Sequence, residues 1–128
     1  LAPSRHARPD QMIQWAETRL EDDKRAWCRH VAGLAYYRAG QYDRAVEHLE
    51  KSNADRWSPA AKSQNWLVLG MCRHQLGQAK EAIDCLEIAQ DLIESATRAP
   101  RSIEVPDWIG IRVLQREAEE LLLANREP

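Results

Sequence analysis

The sequence predicts an all-α protein of about six antiparallel helices, stacked as helical hairpins. Three observations carry this expectation. The chain matches itself when slid by 37 residues. Within each copy, apolar residues recur at helical spacing on both sides of a glycine. No segment makes a convincing strand.

The self-match places Gly33 on Gly70, Gly40 on Gly77, Ala45 on Ala82 and Leu49 on Leu86, with Gln41 on Gln78 and Glu50 on Glu87. The glycines and small residues weigh most, because packing or backbone geometry restricts the choice at such positions.

The elements follow in order. Met12, Ile13, Ala16 and Leu20 share one face of a helix over 9–21. A first repeat covers 24–52. Trp27, Val31, Leu34 and Ala35 lie at helical spacing, the helix runs to about Arg38, and Gly40 is a left-handed stop. Tyr42, Ala45, Val46 and Leu49 then form the apolar stripe of a second helix. A second repeat covers 58–98. Ser58-Pro59 reads as a cap followed by a first-turn proline, and the helix it opens stops at Gly77. The run Trp66 to Cys72 taken alone could be a buried strand, but its register against the first repeat decides for a helix buried on several sides. Ala79, Ala82, Ile83, Leu86, Ala89 or Gln90, and Ile93 mark the partner helix, which ends before Pro100. A last helix over 105–125 opens at Pro106-Asp107 and carries Ile111, Leu114, Ala118, Leu121 and Leu122 on its apolar side. Arg112, Arg116, Glu119 and Glu120 make most of the other side, where Ile109 and Val113 also fall, one turn apart.

Composition bounds the rest. A chain of 128 residues fits one domain with a real core, and 30% charged against 44% apolar residues is ordinary for a globular protein. Eighteen Lys and Arg against twenty Asp and Glu are mixed along the chain, so no basic stripe suggests nucleic acid. No apolar run approaches the roughly 18–20 residues of a membrane span. There is no signal-peptide pattern, and the start at Leu1 instead of Met suggests a segment of a longer protein. Cys28, Cys72 and Cys85 are an odd set without C-x-x-C spacing, which points to buried core residues in a reducing cytoplasm.

Trp66-x-x-Leu69-Gly70 followed by Gly77, Ala82 and Leu86 resembles the tetratricopeptide (TPR) signature. The first repeat keeps Gly33, Tyr36, Gly40, Tyr42, Ala45 and Leu49 of the same pattern. Arg29 stands where the signature has Trp, Arg73 where it has Tyr, and Ala79 where an aromatic is frequent. The 37-residue period exceeds the usual one of about 34 residues, and the surplus is assigned to a linker from Ser52 to Ser58. More loosely, Trp66 to Ala82 together with Leu114 to Leu122 resembles C-terminal TPR segments of large multidomain bacterial proteins, many carrying a Ser/Thr protein kinase domain upstream. This chain itself has no Gly-rich phosphate loop and no H-R-D or D-F-G motif.

The TPR resemblance implies an α-α superhelix in which the first helix of each repeat lines a concave groove. Projected onto this chain, the groove would show Trp27, His30, Val31, Leu34, Tyr37 and Arg38, then Gln64, Leu67, Val68, Met71, His74 and Gln75. Family members that hold chaperone carboxylates use lysine, arginine and asparagine there, whereas the matching positions hold His30, Leu34 and Val68. An apolar floor of Leu34, Leu67 and Met71 suits an amphipathic helix or extended apolar segment. Alternatively, the last helix fills the groove and makes it core.

No catalytic or cofactor chemistry is expected. Cys28-Arg-His30 and Cys72-Arg-His74 read C-x-H, but positions i and i+2 of a helix point about 200° apart and cannot chelate one ion. The five tryptophans read as packing anchors. The expected function is therefore a non-catalytic protein-binding module of a larger protein, or else a structural spacer or oligomerisation element. Self-association through the N-terminal helix is a further expectation, because a terminal repeat without a polar cap leaves an apolar end.

Overall fold

In a computed structural model of the chain, residues 8–98 and 105–124 are described, the side chains of 105–107 excepted. Among them are six α-helices and no strand: α1 (Pro9–Asp22), α2 (Ala26–Arg38), α3 (Tyr42–Ala54), α4 (Pro59–Gln75), α5 (Ala79–Thr97) and α6 (Val105–Leu123). Pro100 and the expected helix end at residue 125 lie outside the described residues. The chain divides into two compact units, residues 1–56 and 57–128.

In the first unit, α2 packs against both α1 and α3. Ala16 and Leu20 of α1 are buried with Cys28 and Ala32 of α2, and Trp15 and Val31 close the edge of that cluster. The turn into α3 is a Schellman motif. Gly40 has φ +78°, the Gln41 N–H donates to the Tyr36 carbonyl at 2.9 Å, and the Gly40 N–H donates to Tyr37 at 3.0 Å. A Cβ is strained at that φ, and the two bonds satisfy carbonyls the helix end would leave open.

The linker expected from Ser52 to Ser58 is shorter than its sequence suggests. α3 continues through Ala54 because Ser52 is buried and its hydroxyl donates to the Ala26 carbonyl at 2.8 Å. The Asp55 carboxylate then accepts from the Ala26 N–H at 3.1 Å. The end of α3 thus caps the start of α2, whose own N-cap residue, Arg25, makes no side-chain cap bond.

In the second unit, α4 packs against both α5 and α6. Ser58 caps it by accepting from the Ala61 N–H at 3.1 Å, with Pro59 in the first turn. The Schellman motif recurs. Gly77 has φ +79°, and the Gln78 N–H donates to the Arg73 carbonyl at 2.8 Å. Gly70 seats α4 on its neighbours: a Cβ there would lie 3.2 Å from the Ala82 carbonyl of α5 and 3.4 Å from Leu122 of α6. Gly110 of α6 lies close to the Gln64 side chain of α4 in the same way. Ile111, Leu114, Ala118 and Leu122 of α6 are buried, and Leu86, Ala89 and Ile93 of α5 complete this core.

Candidate functional site

The candidate groove residues separate by depth. On α2, Trp27 is 48% exposed, Leu34 and Tyr37 are half-buried, Arg38 is exposed and His30 is buried. Trp27 meets Trp15 of α1 edge-to-face at 6.2 Å, an arrangement that suits the ring quadrupoles. One end of this stripe is aromatic as well: Tyr37 lies 5.8 Å from Tyr42, with the Arg38 guanidinium 5.4 Å from its centroid. Trp27 is therefore not the interior anchor that its residue type suggests. The other tryptophans are half-buried.

On α4 the expectation needs correcting. Leu67 and Met71, expected on an open apolar face, are 0% exposed, as is Val68. The reason is coverage within the second unit, where α4 has α5 and α6 on two sides. His74 is half-buried near the C-terminal end of the helix. Leu67 and Met71 are therefore core residues, and a partner cannot reach them without displacing a helix. His30 is likewise too buried to be an open contact.

Ile109 and Val113 of α6 are 61% and 57% exposed. Arg112 lies between them in sequence and reaches back over the Trp108 ring at 5.8 Å, and Arg116 pairs with Glu120 at 3.6 Å. At the other end of the chain, α1 covers Ala16 and Leu20 against α2 and leaves Met12 and Ile13 half-exposed.

Electrostatics at the other polar sites is local. The Arg25 guanidinium beside Asp23, at 2.6 Å, holds that carboxyl well below the usual carboxylate range. Burial pushes the Cys72 thiol up to about 12, and the Cys28 thiol is raised for the same reason. Burial thus disfavours the thiolate, the reactive form, at both positions. Among the described residues no group of three His, Cys, Asp or Glu converges in metal-ligating geometry.

One cluster was not found by sequence reasoning. His48 of α3 is buried and stacks on the Tyr36 ring of α2 at 5.2 Å and 8°. Its Nε2 lies 3.3 Å from Glu17 Oε1 of α1, and the Arg29 Nη1 of α2 lies 3.3 Å from its Nδ1. Tyr36 donates its hydroxyl proton to the same Glu17 oxygen at 2.7 Å. Burial, and then this bond, raise the Tyr36 phenol; burial lowers His48 below its ordinary value. The only sequence signal was a departure from the repeat pattern, the polar Arg29 at a position where the second repeat has Trp66.

With its hairpins and this geometry, the chain belongs to a family of TPR-like helical repeats. The family described as anaphase-promoting complex, cyclosome, subunit 3 matches residues 10–89, which run from the start of α1 into α5. TPR-like repeats generally mediate protein–protein interaction and are typically non-catalytic. No curated protein matches the chain significantly. No helix among the described residues is long and apolar enough to cross a membrane.

Proposed function

We propose that the chain is a non-catalytic protein–protein interaction module of a larger protein, and that it takes an apolar partner segment on the exposed stripe of α2. The observation that carries this is Trp27. A tryptophan 48% exposed, braced edge-on by Trp15 and continued along the helix by Leu34, Tyr37 and Arg38, has the composition of a binding hot spot. Rigid aromatic surface gives contact area at little conformational cost. Leu67 and Met71 are no part of this surface.

The test is Trp27→Ala in the full-length protein. Partners co-purified with the wild type should be lost, consistent with a hot-spot loss of about 2 kcal/mol or more, while melting shifts little because the ring is half outside the core. Equal recovery of partners by both forms would remove α2 from the binding surface.

A second reading, an oligomerisation or spacer element, is favoured by Ile109 and Val113, two exposed β-branched residues one turn apart on α6, and by the half-exposed Met12 and Ile13 at the N-terminal helix. Sedimentation of the wild type and Val113→Lys distinguishes it. Three buried, unbridged cysteines support a reducing compartment such as the cytoplasm. The likeness of Trp66 to Ala82 to bacterial kinase-linked segments supports a multidomain parent of that kind.

A further inference from the structure

The two repeats diverge where their registers should agree. Positions Arg29, Tyr36 and His48 of the first unit correspond to Trp66, Arg73 and Cys85 of the second. In the second unit Arg73 makes a local bond to Gln78 at 2.9 Å. In the first, Arg29 and Tyr36 converge with Glu17 of α1 on the His48 imidazole. That imidazole joins α3 to α1, two helices that otherwise pack only through α2.

The geometry dictates one protonation state. A guanidinium can only donate, so the Arg29 contact requires an unprotonated Nδ1 that accepts. The Glu17 contact at Nε2 requires a proton there, since a carboxylate can only accept. The neutral Nε2–H tautomer satisfies both at once. A second proton at Nδ1 turns an acceptor into a donor facing a donor, and sets two cations 3.3 Å apart in a buried place. Glu17 and the stacked Tyr36 ring favour the imidazolium, whereas burial and Arg29 oppose it. The other charges near the ring are Arg44, which lies over Tyr36, and Glu47 and Lys51, which pair with each other at 3.3 Å.

We propose that His48 is a pH-sensitive latch of the first unit: neutral, it ties α1, α2 and α3 together, and proton uptake at Nδ1 expels Arg29 of α2 and loosens that helix from α3. Burial depresses the folded-state value below the ordinary 6.5, so the unfolded chain binds the extra proton first. The stabilisation is therefore complete above that ordinary value and is lost as pH falls below it.

The experiment compares the 128-residue chain with His48→Gln, whose amide can donate to Glu17 and accept from Arg29 but does not titrate. Between about pH 7.5 and 5.5 the wild-type melting midpoint should fall by about 3 °C or more beyond any fall in H48Q. An equal fall in both overturns the latch. Nitrogen chemical shifts of the wild-type ring give a second readout that needs no variant and decides the matter alone if H48Q does not fold. They should show the Nε2–H tautomer and a titration midpoint below that of the urea-unfolded chain. A midpoint at or above the unfolded one overturns the proposal.

Discussion

Gly33 of α2 lies against Leu49 of α3 so closely that a Cβ on the glycine would come within 2.6 Å of the leucine Cγ and Cδ2. The same Cβ would lie 3.4 Å from the Ala45 carbonyl, as one on Gly70 would lie 3.2 Å from the matching Ala82 carbonyl. Ala45 and Ala82 are themselves buried, at 0% and 1% exposure. Both hairpins therefore close on the same glycine–alanine register. Gly33→Ala should improve helix propensity by about 1 kcal/mol yet overpack Leu49 by about 1–3 kcal/mol. A net loss is expected because Leu49 is fully buried and its Cγ cannot swing clear. Urea denaturation reads it directly, and a raised midpoint would show that Leu49 repacks without cost.

Gly40 and Gly77 test backbone geometry without packing, since nothing lies within 4 Å of a Cβ built on either. Their φ values of +78° and +79° are strained for any L side chain. Alanine at each should cost about 1–2 kcal/mol, with asparagine milder. The two losses should add, because the sites belong to separate turns. Chemical denaturation of both single variants and the double variant checks size and additivity together.

Leu34→Glu and Met71→Glu should behave oppositely. Met71 is fully buried between the helices of the second unit, so an unpaired carboxylate there should unfold that unit. Leu34 is half-buried, and its glutamate can turn toward water. The melting curve of Leu34→Glu should stay close to wild type while that of Met71→Glu collapses. A stable Met71→Glu protein would mean that α4 can be uncovered.

If residues 1–128 act as one domain, they should unfold in a single transition by circular dichroism and by tryptophan fluorescence alike. Two transitions, with proteolysis between them cutting near Arg56 and Trp57, would make the two compact units independent.

Much of the fold was legible because its determinants are local and occur twice. Gly40 and Gly77 end helices through a backbone conformation that can be read from residue type, and Ser58-Pro59 starts one in the same way. Gly33, Gly70, Ala45 and Ala82 mark close helix contacts because no larger residue fits. The candidate site was only half legible. Helical spacing put Trp27, Leu34, Leu67 and Met71 on apolar faces, but periodicity records that a face is apolar and not what covers it. Only the packing of α6 and α5 on α4 made Leu67 and Met71 core. The His48 cluster was out of reach for the same reason: Glu17, Arg29, Tyr36 and His48 lie on three helices, and hydrogen bonds between residues distant in sequence leave no periodic trace. The sequence alone determined the glycine stops after α2 and α4, the capped start of α4 and the close approach within each hairpin; the tertiary structure decided how far α3 runs, which apolar faces remain open and which polar groups meet, because burial and hydrogen bonding belong to pairs of surfaces and not to one stretch of residues.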